Sequence, residues 1–195
     1  MALNYKGIEY EPVFVHLLKS EQLDTAYRRM NPLGMVPALE HQGVVVADSL
    51  TIMEYLEEAF PAAPALLPSG LRERALVRQM TQLVASSIQP LQNLRVTNYL
   101  KDVLHLEEEG RNAWIGHWIE IGFEALEKLL EENSGKFSFG DAVTMADCCL
   151  LPQVISSRRF GVKIEQWPVL SRVAENLLTQ DFCIRALPEN QSDHT

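Results

Sequence analysis

The stretch that decides the fold is Met30–Leu56, MNPLGMVPALEHQGVVVADSLTIMEYL. Asn31-Pro32 and Gly34 read as a bent loop, because proline fixes φ and glycine tolerates positive φ. Ala38–Glu40 and Val44–Ala47 read as two short apolar strands, with His41-Gln42-Gly43 as the turn between them. Asp48-Ser49 then offers N-cap chemistry to an apolar-periodic helix carrying Leu50, Ile52, Met53, Tyr55 and Leu56, which stops at Pro61. Ile52 stands three after Ser49, so no Glu or Gln closes a capping box there.

Two features of this stretch point to a ligand. Val36-Pro37 precedes a strand, and a cis bond there would present the Val36 N–H and C=O sideways to an extended, peptide-like molecule. Ser49 opens a helix, where free N–H groups and the positive dipole end attract an anion. Taken singly, each piece is equally ordinary turn or cap chemistry.

Together the residues carry a resemblance. Asn31, Pro32, Val36, Pro37 and Leu39, followed by Asp48, Ser49 and Tyr55-Leu56-Glu57-Glu58, resemble the glutathione-binding half of the glutathione transferases. The resemblance implies an α+β architecture: a thioredoxin-like N-terminal domain over 1–60, a linker over 61–70, and an all-α helical domain over 71–195. It further implies that the Val36 main chain pairs with the cysteinyl unit of glutathione, with Pro37 shaping that contact. Ser49 would hold the γ-glutamyl carboxylate, and Asp48 would face the ammonium. Gln22 matches a polar ligand-facing position of the same family, although a solvated surface glutamine would look no different.

The bulk properties are compatible with this reading. The 195 residues are 47% hydrophobic and 22% charged, enough for one large or two small domains with a real core. A net charge of −9 disfavours nucleic acid and anionic membranes as partners. No apolar run reaches the roughly eighteen residues a membrane span needs, and no signal peptide opens the chain. Cys148, Cys149 and Cys183 are too few and badly spaced for a disulfide framework, and no Cys or His cluster has zinc spacing. A reduced, cytoplasmic protein without a metal is expected.

The start of the chain reads oddly. Lys6-Gly7 resembles a helix end with almost no helix before it, and Glu9–Leu17 reads as a strand with Val13, Val15 and Leu17 on one face. A strand after a helix implies an earlier parallel strand. Family resemblance supplies one: roughly twenty further residues, including a Ser-Ser-Cys segment that is catalytic in the zeta class, would precede Met1. Met1 is then expected to be an internal methionine, and no residue of this chain is assigned the catalytic role.

Beyond the linker, Leu71–Leu104 reads as one amphipathic helix kinked at Pro90, with Gln89 and Asn93 sharing a face. The run Ile88-Gln89-Pro90-Leu91-Gln92-Asn93-Leu94 resembles the zeta-class segment whose Gln and Asn line the glutathione cleft; in most proteins such residues are merely solvated. Arg111–Glu132 reads as a second helix, with Trp114 and Trp118 expected in its core face. Thr144-Met145-Ala146-Asp147 is a capping box opening a third, expected to serve folding. That helix ends at Arg158-Arg159; in the zeta class the second position anchors a substrate carboxylate, while two cations at a helix end can also simply complement the dipole. Trp167-Pro168 opens a further helix, and Gln191–Thr195 is expected to fray.

The resemblance implies a maleylacetoacetate isomerase, acting with glutathione on a small acidic substrate in aromatic amino acid catabolism, as a homodimer. A non-catalytic glutathione transferase-like binding module and a broad-specificity conjugating transferase remain as alternatives.

Overall fold

In a computed structural model the described residues are 1–191, so most of the tail expected to fray lies outside them. They divide into two units, Met1–Leu66 with the residues from Arg185 on, and Leu67–Ile184. The break falls inside the proline-rich stretch, but the segment from Arg185 groups with the first unit rather than with the helices before it. There Arg185 borders a shallow groove with Asn4, Gly7, Ile8, Glu9 and Tyr10.

In the first unit, helix α1 (Ala2–Lys6) ends on Gly7, whose φ of 66° is the left-handed cap conformation a glycine adopts without a Cβ clash. Lys6 does more than complement a dipole. Its buried Nζ donates to Glu57 Oε1 at 2.7 Å and to the Pro64 carbonyl at 3.0 Å, and the same carboxylate oxygen accepts the Leu66 N–H at 2.8 Å. One ion pair thus fixes the proline-rich segment to two helices.

The strand expected over Glu9–Leu17 does not form: residues 8–16 carry no strand, and Leu17–Lys19 is a single 3-10 turn. Alternation makes a strand only where a ladder neighbour takes the backbone groups and a layer covers the apolar face. Among the described residues the sheet contains two strands, neither of them here, and Val13 is 82% exposed.

Strands β1 (Ala38–His41) and β2 (Val44–Ala47) pair antiparallel, with Leu39 opposite Val46 and His41 opposite Val44. Gln42 and Gly43, both at positive φ, make the two-residue turn whose twist suits a hairpin. Helix α2 (Thr25–Met30) precedes the hairpin, and α3 (Ser49–Ala59) follows it directly. His41 Nδ1 lies 2.7 Å from the Tyr55 hydroxyl, and its ring packs against Tyr55 and Phe60, which fastens the hairpin end to α3.

The second unit is helical: α4 (Leu71–Gln82), α5 (Leu94–Asp102), α6 (Glu108–Asn133), α7 (Met145–Arg158), α8 (Pro168–Leu177) and α9 (Asp181–Ile184). The single kinked helix expected over Leu71–Leu104 is replaced by α4, a π turn at Leu83–Ile88, a 3-10 turn at Gln89–Gln92, and α5. Pro90 has no N–H to continue an α-helical ladder, so the chain widens before it and tightens after it. Asn93 is extended, at φ −62° and ψ 146°, and starts α5 afresh; it does not share a helical face with Gln89.

The core is built from Val77, Met80, Ile88, Ile119, Phe123, Leu126, Leu130, Leu150, Leu151, Val154, Leu170, Val173 and Leu177. Trp114 and Trp118 are only half-buried and stack edge-on at 5.8 Å, correcting the expectation that both belong to the core. Gly122 lets α6 approach the π turn: a Cβ there would sit 2.3 Å from two side-chain carbons of Ile88. Two carboxylates close helix starts. Asp147 forms the expected capping box, accepting the Thr144 N–H at 2.8 Å and its hydroxyl at 3.1 Å, and also takes the Ser138 N–H at 2.8 Å. Burial pushes the Asp147 carboxyl above its usual range, and these donors pull the other way. Glu127, from the middle of α6, accepts the Val169 and Leu170 N–H groups at 2.8 Å each and so caps α8.

Candidate functional site

The loop before the hairpin is held from beneath. The Asn31 side-chain amide and the Tyr27 hydroxyl both donate to the Met35 carbonyl, at 2.7 and 2.8 Å. Burial raises the Tyr27 phenol above its usual range, so it stays a neutral donor. Gly34, at φ 65°, has the Gln22 carbonyl only 3.0 Å from where a Cβ would sit, and the 3-10 turn Glu21–Leu23 closes on the loop because that methyl is absent.

With the loop so fixed, Val36 is 40% exposed and its peptide bond to Pro37 is cis. Among the described residues neither its N–H nor its C=O has a partner. Next along, the Pro37 carbonyl accepts the Asp48 N–H at 3.3 Å, which brings the Val36-Pro37 corner to the start of α3.

Asp48 sits at φ 79°, a conformation costly for a residue with a side chain. Its Oδ1 accepts the Leu50 and Thr51 N–H groups at 3.0 and 3.3 Å, so Asp48 is the N-cap and Ser49 the first helical residue. Asp48 Oδ2, the Ser49 N–H and the Ser49 hydroxyl have no partner among the described residues, and both side chains are exposed. The first unit therefore gathers Val36, Pro37, Asp48 and Ser49 into one row of open donors and acceptors. Gln22, on the turn against Gly34, is 9% exposed and its Oε1 is unpartnered. A peptide carrying a carboxylate beside an ammonium fits this inventory: the free helix N–H and hydroxyl suit the anion, the free carboxylate oxygen suits the cation, and Val36 offers a strand-like pairing edge.

In the second unit, Gln89 is exposed at the start of the 3-10 turn and Asn93 follows its end, where Asn93 Oδ1 accepts the Arg95 N–H at 3.1 Å. Arg159 follows the last residue of α7, is exposed, and its guanidinium has no partner among the described residues. Two contacts that the sequence reading did not use hold the 3-10 turn. The Trp114 indole donates to the Leu91 carbonyl at 2.9 Å, and Gln92 Nε2 donates to Gln153 Oε1. The available signal was Gln153 itself, an amide set among the apolar Leu150, Leu151 and Val154 of α7. Thr144 and Asp147 are occupied structurally, by the capping box and by the Ser138 N–H that Asp147 also accepts.

A profile of the glutathione S-transferase N-terminal domain matches residues 1–59. Maleylacetoacetate isomerase of Dictyostelium discoideum is 45% identical over 195 residues, covering 99% of this chain and 88% of that protein. Among solved structures, a holo maleylpyruvate isomerase described as a bacterial zeta-class glutathione S-transferase superposes with a TM-score of 0.96 at 42% identity, over all of this chain and 92% of that one. Maleylacetoacetate isomerase from Methylobacterium extorquens AM1, solved with malonate and glutathione, gives 0.95 at 35% identity over the same shares. With likeness of this extent along the whole chain, the protein belongs to the zeta class of the glutathione transferases, the family of the maleylacetoacetate and maleylpyruvate isomerases.

Proposed function

We propose that this chain takes part in the glutathione-dependent cis–trans isomerisation of maleylacetoacetate to fumarylacetoacetate, a step of aromatic amino acid catabolism, in the cytoplasm and as a homodimer. The observation that carries the reading is the open edge in the first unit: an exposed, unpaired Val36 main chain beside the free end of α3. The Val36 N–H and C=O pair with the cysteinyl unit of glutathione. The Ser49 N–H and hydroxyl hold its γ-glutamyl carboxylate, and Asp48 Oδ2 takes the ammonium. Pro37 sets the direction of that edge, while Gln22, Gln89 and Asn93 supply further polar contacts.

Bound glutathione supplies a thiolate whose reversible addition to the conjugated double bond turns it into a single bond, about which the substrate can rotate before elimination. The chain's own residues orient and neutralise. Arg159 holds the substrate carboxylate with a permanent cation and a planar donor fork. The malonate bound to the Methylobacterium relative fits a small dicarboxylate as the substrate class. No residue of this chain is assigned a bond-making role, and among the described residues no helix is long and apolar enough to cross a membrane.

Mixing the chain with glutathione and maleylacetoacetate and following the trans product by its absorbance tests the reading. Glutathione-dependent turnover is expected. A chain that neither binds glutathione nor turns over the cis acid defeats the proposal, and turnover of chloro-aromatic electrophiles alone would reassign it as a conjugating enzyme.

A further inference from the structure

The helical unit contains one polar contact whose cost stability does not explain. Gln153 is 3% exposed and Gln92 is half-buried, yet their single amide–amide hydrogen bond leaves Gln92 Oε1 and Gln153 Nε2 buried without partners. Two orphaned polar atoms offset what one neutral hydrogen bond contributes, and an apolar pair of the same shape would do as well or better. Apolar contact, however, lets two elements slide, whereas a hydrogen bond between planar amides fixes direction and register.

The elements it joins carry the polar groups of this unit that the proposed function uses, Gln89, Asn93 and Arg159. Gln92 closes the 3-10 turn that begins at Gln89 and is followed by Asn93; Gln153 lies on α7, six residues before Arg159, about 9 Å along the helix axis. A 3-10 turn has poor internal hydrogen bonds, so outside contacts decide where it sits. The Trp114 indole grips it from α6 and Gln153 from α7.

We propose that Gln92 and Gln153 are positioning residues: their buried bond ties the turn bearing Gln89 and Asn93 to the helix that ends at Arg159, and so sets the spacing between the glutathione-side and substrate-side groups of this unit. The inference rests on the function proposed above. The test is glutathione affinity by calorimetry on the full chain, with melting temperature measured in parallel. The double variant Gln92→Met/Gln153→Met keeps the volume and removes all four amide atoms. It is expected to melt no lower than the wild type yet to bind glutathione about fivefold or more weakly. Gln153→Glu retains an acceptor for Gln92 Nε2 and should recover affinity to within about twofold of wild type, where Gln153→Met does not. A double variant of unchanged melting temperature that binds glutathione as the wild type does overturns the inference alone. So does a loss of affinity that tracks a fall in melting temperature and is not recovered by Gln153→Glu. A wild-type chain without glutathione affinity defeats the proposed function first, and this inference with it.

Discussion

Replacing Gly122 by alanine places a methyl carbon 2.3 Å from both Cγ1 and Cδ1 of Ile88, a residue with no exposed surface at the end of the π turn. Carbon atoms in contact sit about 3.5–4.0 Å apart, so something must move by more than about 1 Å. Overpacking of this kind costs about 1–3 kcal/mol, while exchanging glycine for alanine inside a helix returns roughly 0.5–1 kcal/mol. The net expectation is a loss of about 1–2 kcal/mol. In urea that lowers the unfolding midpoint by about 0.5–1 M at an ordinary m-value of about 2 kcal/mol/M, with the slope unchanged. Because Ile88 directly precedes Gln89, glutathione affinity should fall alongside. Ile88→Val shortens the side chain that is struck, so the double variant should lose less than the two single losses added, by about 0.5 kcal/mol or more. A Gly122→Ala chain with an equal or higher midpoint would refute the claim that α6 depends on that missing methyl.

Three further outcomes can be measured independently. Ser49→Ala removes an exposed hydroxyl that has no protein partner, so stability should hold while glutathione binding weakens about tenfold or more, as for a lost hydrogen bond to a charged group. Lys6→Met strands Glu57, whose side chain is 13% exposed, and should cost about 3–5 kcal/mol in denaturant titration; adding Glu57→Leu should recover part of it. Burial pushes the Cys183 thiol up to about 12, so below that pH it stays protonated and unreactive: in the native chain it should resist a thiol-specific disulfide reagent at pH 8 and react at once after unfolding.

What the sequence made legible was chemistry settled within a few residues. The bent loop, the hairpin, the start of α3 and the Thr144–Asp147 box each depend on neighbours in the chain, and each stands where composition and spacing put it. What stayed hidden depends on partners distant in sequence. Glu9–Leu17 has strand-like alternation, but a ladder is a property of two segments. Lys6 meets Glu57 from 51 residues away and Gln92 meets Gln153 from 61, and no periodicity announces either pair. Glu127 lies on a helix whose pattern reads as solvated at such positions, and only the arrival of α8 makes it a cap. Pro90 signalled that the helix must yield there, but whether by bending or by a π and a 3-10 turn was decided by packing, with Gly122 admitting Ile88 on one side and Trp114 bonding Leu91 on the other. For Asp48 the N-cap chemistry is legible in the sequence, but not how its oxygens divide: Oδ1 goes to the helix start, leaving Oδ2 for anything else.

The bond from the Trp114 indole to the Leu91 carbonyl gives the helical unit an optical gauge of its own. Indole emission shifts colour and brightness with the polarity and bonding of its nitrogen, and this nitrogen is clamped to the residue two before Asn93. Any event that drags that carbonyl is therefore written into the ultraviolet fluorescence of the unlabelled chain. Because Trp118 and Trp167 are the other emitters, replacing both with phenylalanine would leave a single-lamp version in which occupancy can be read in real time.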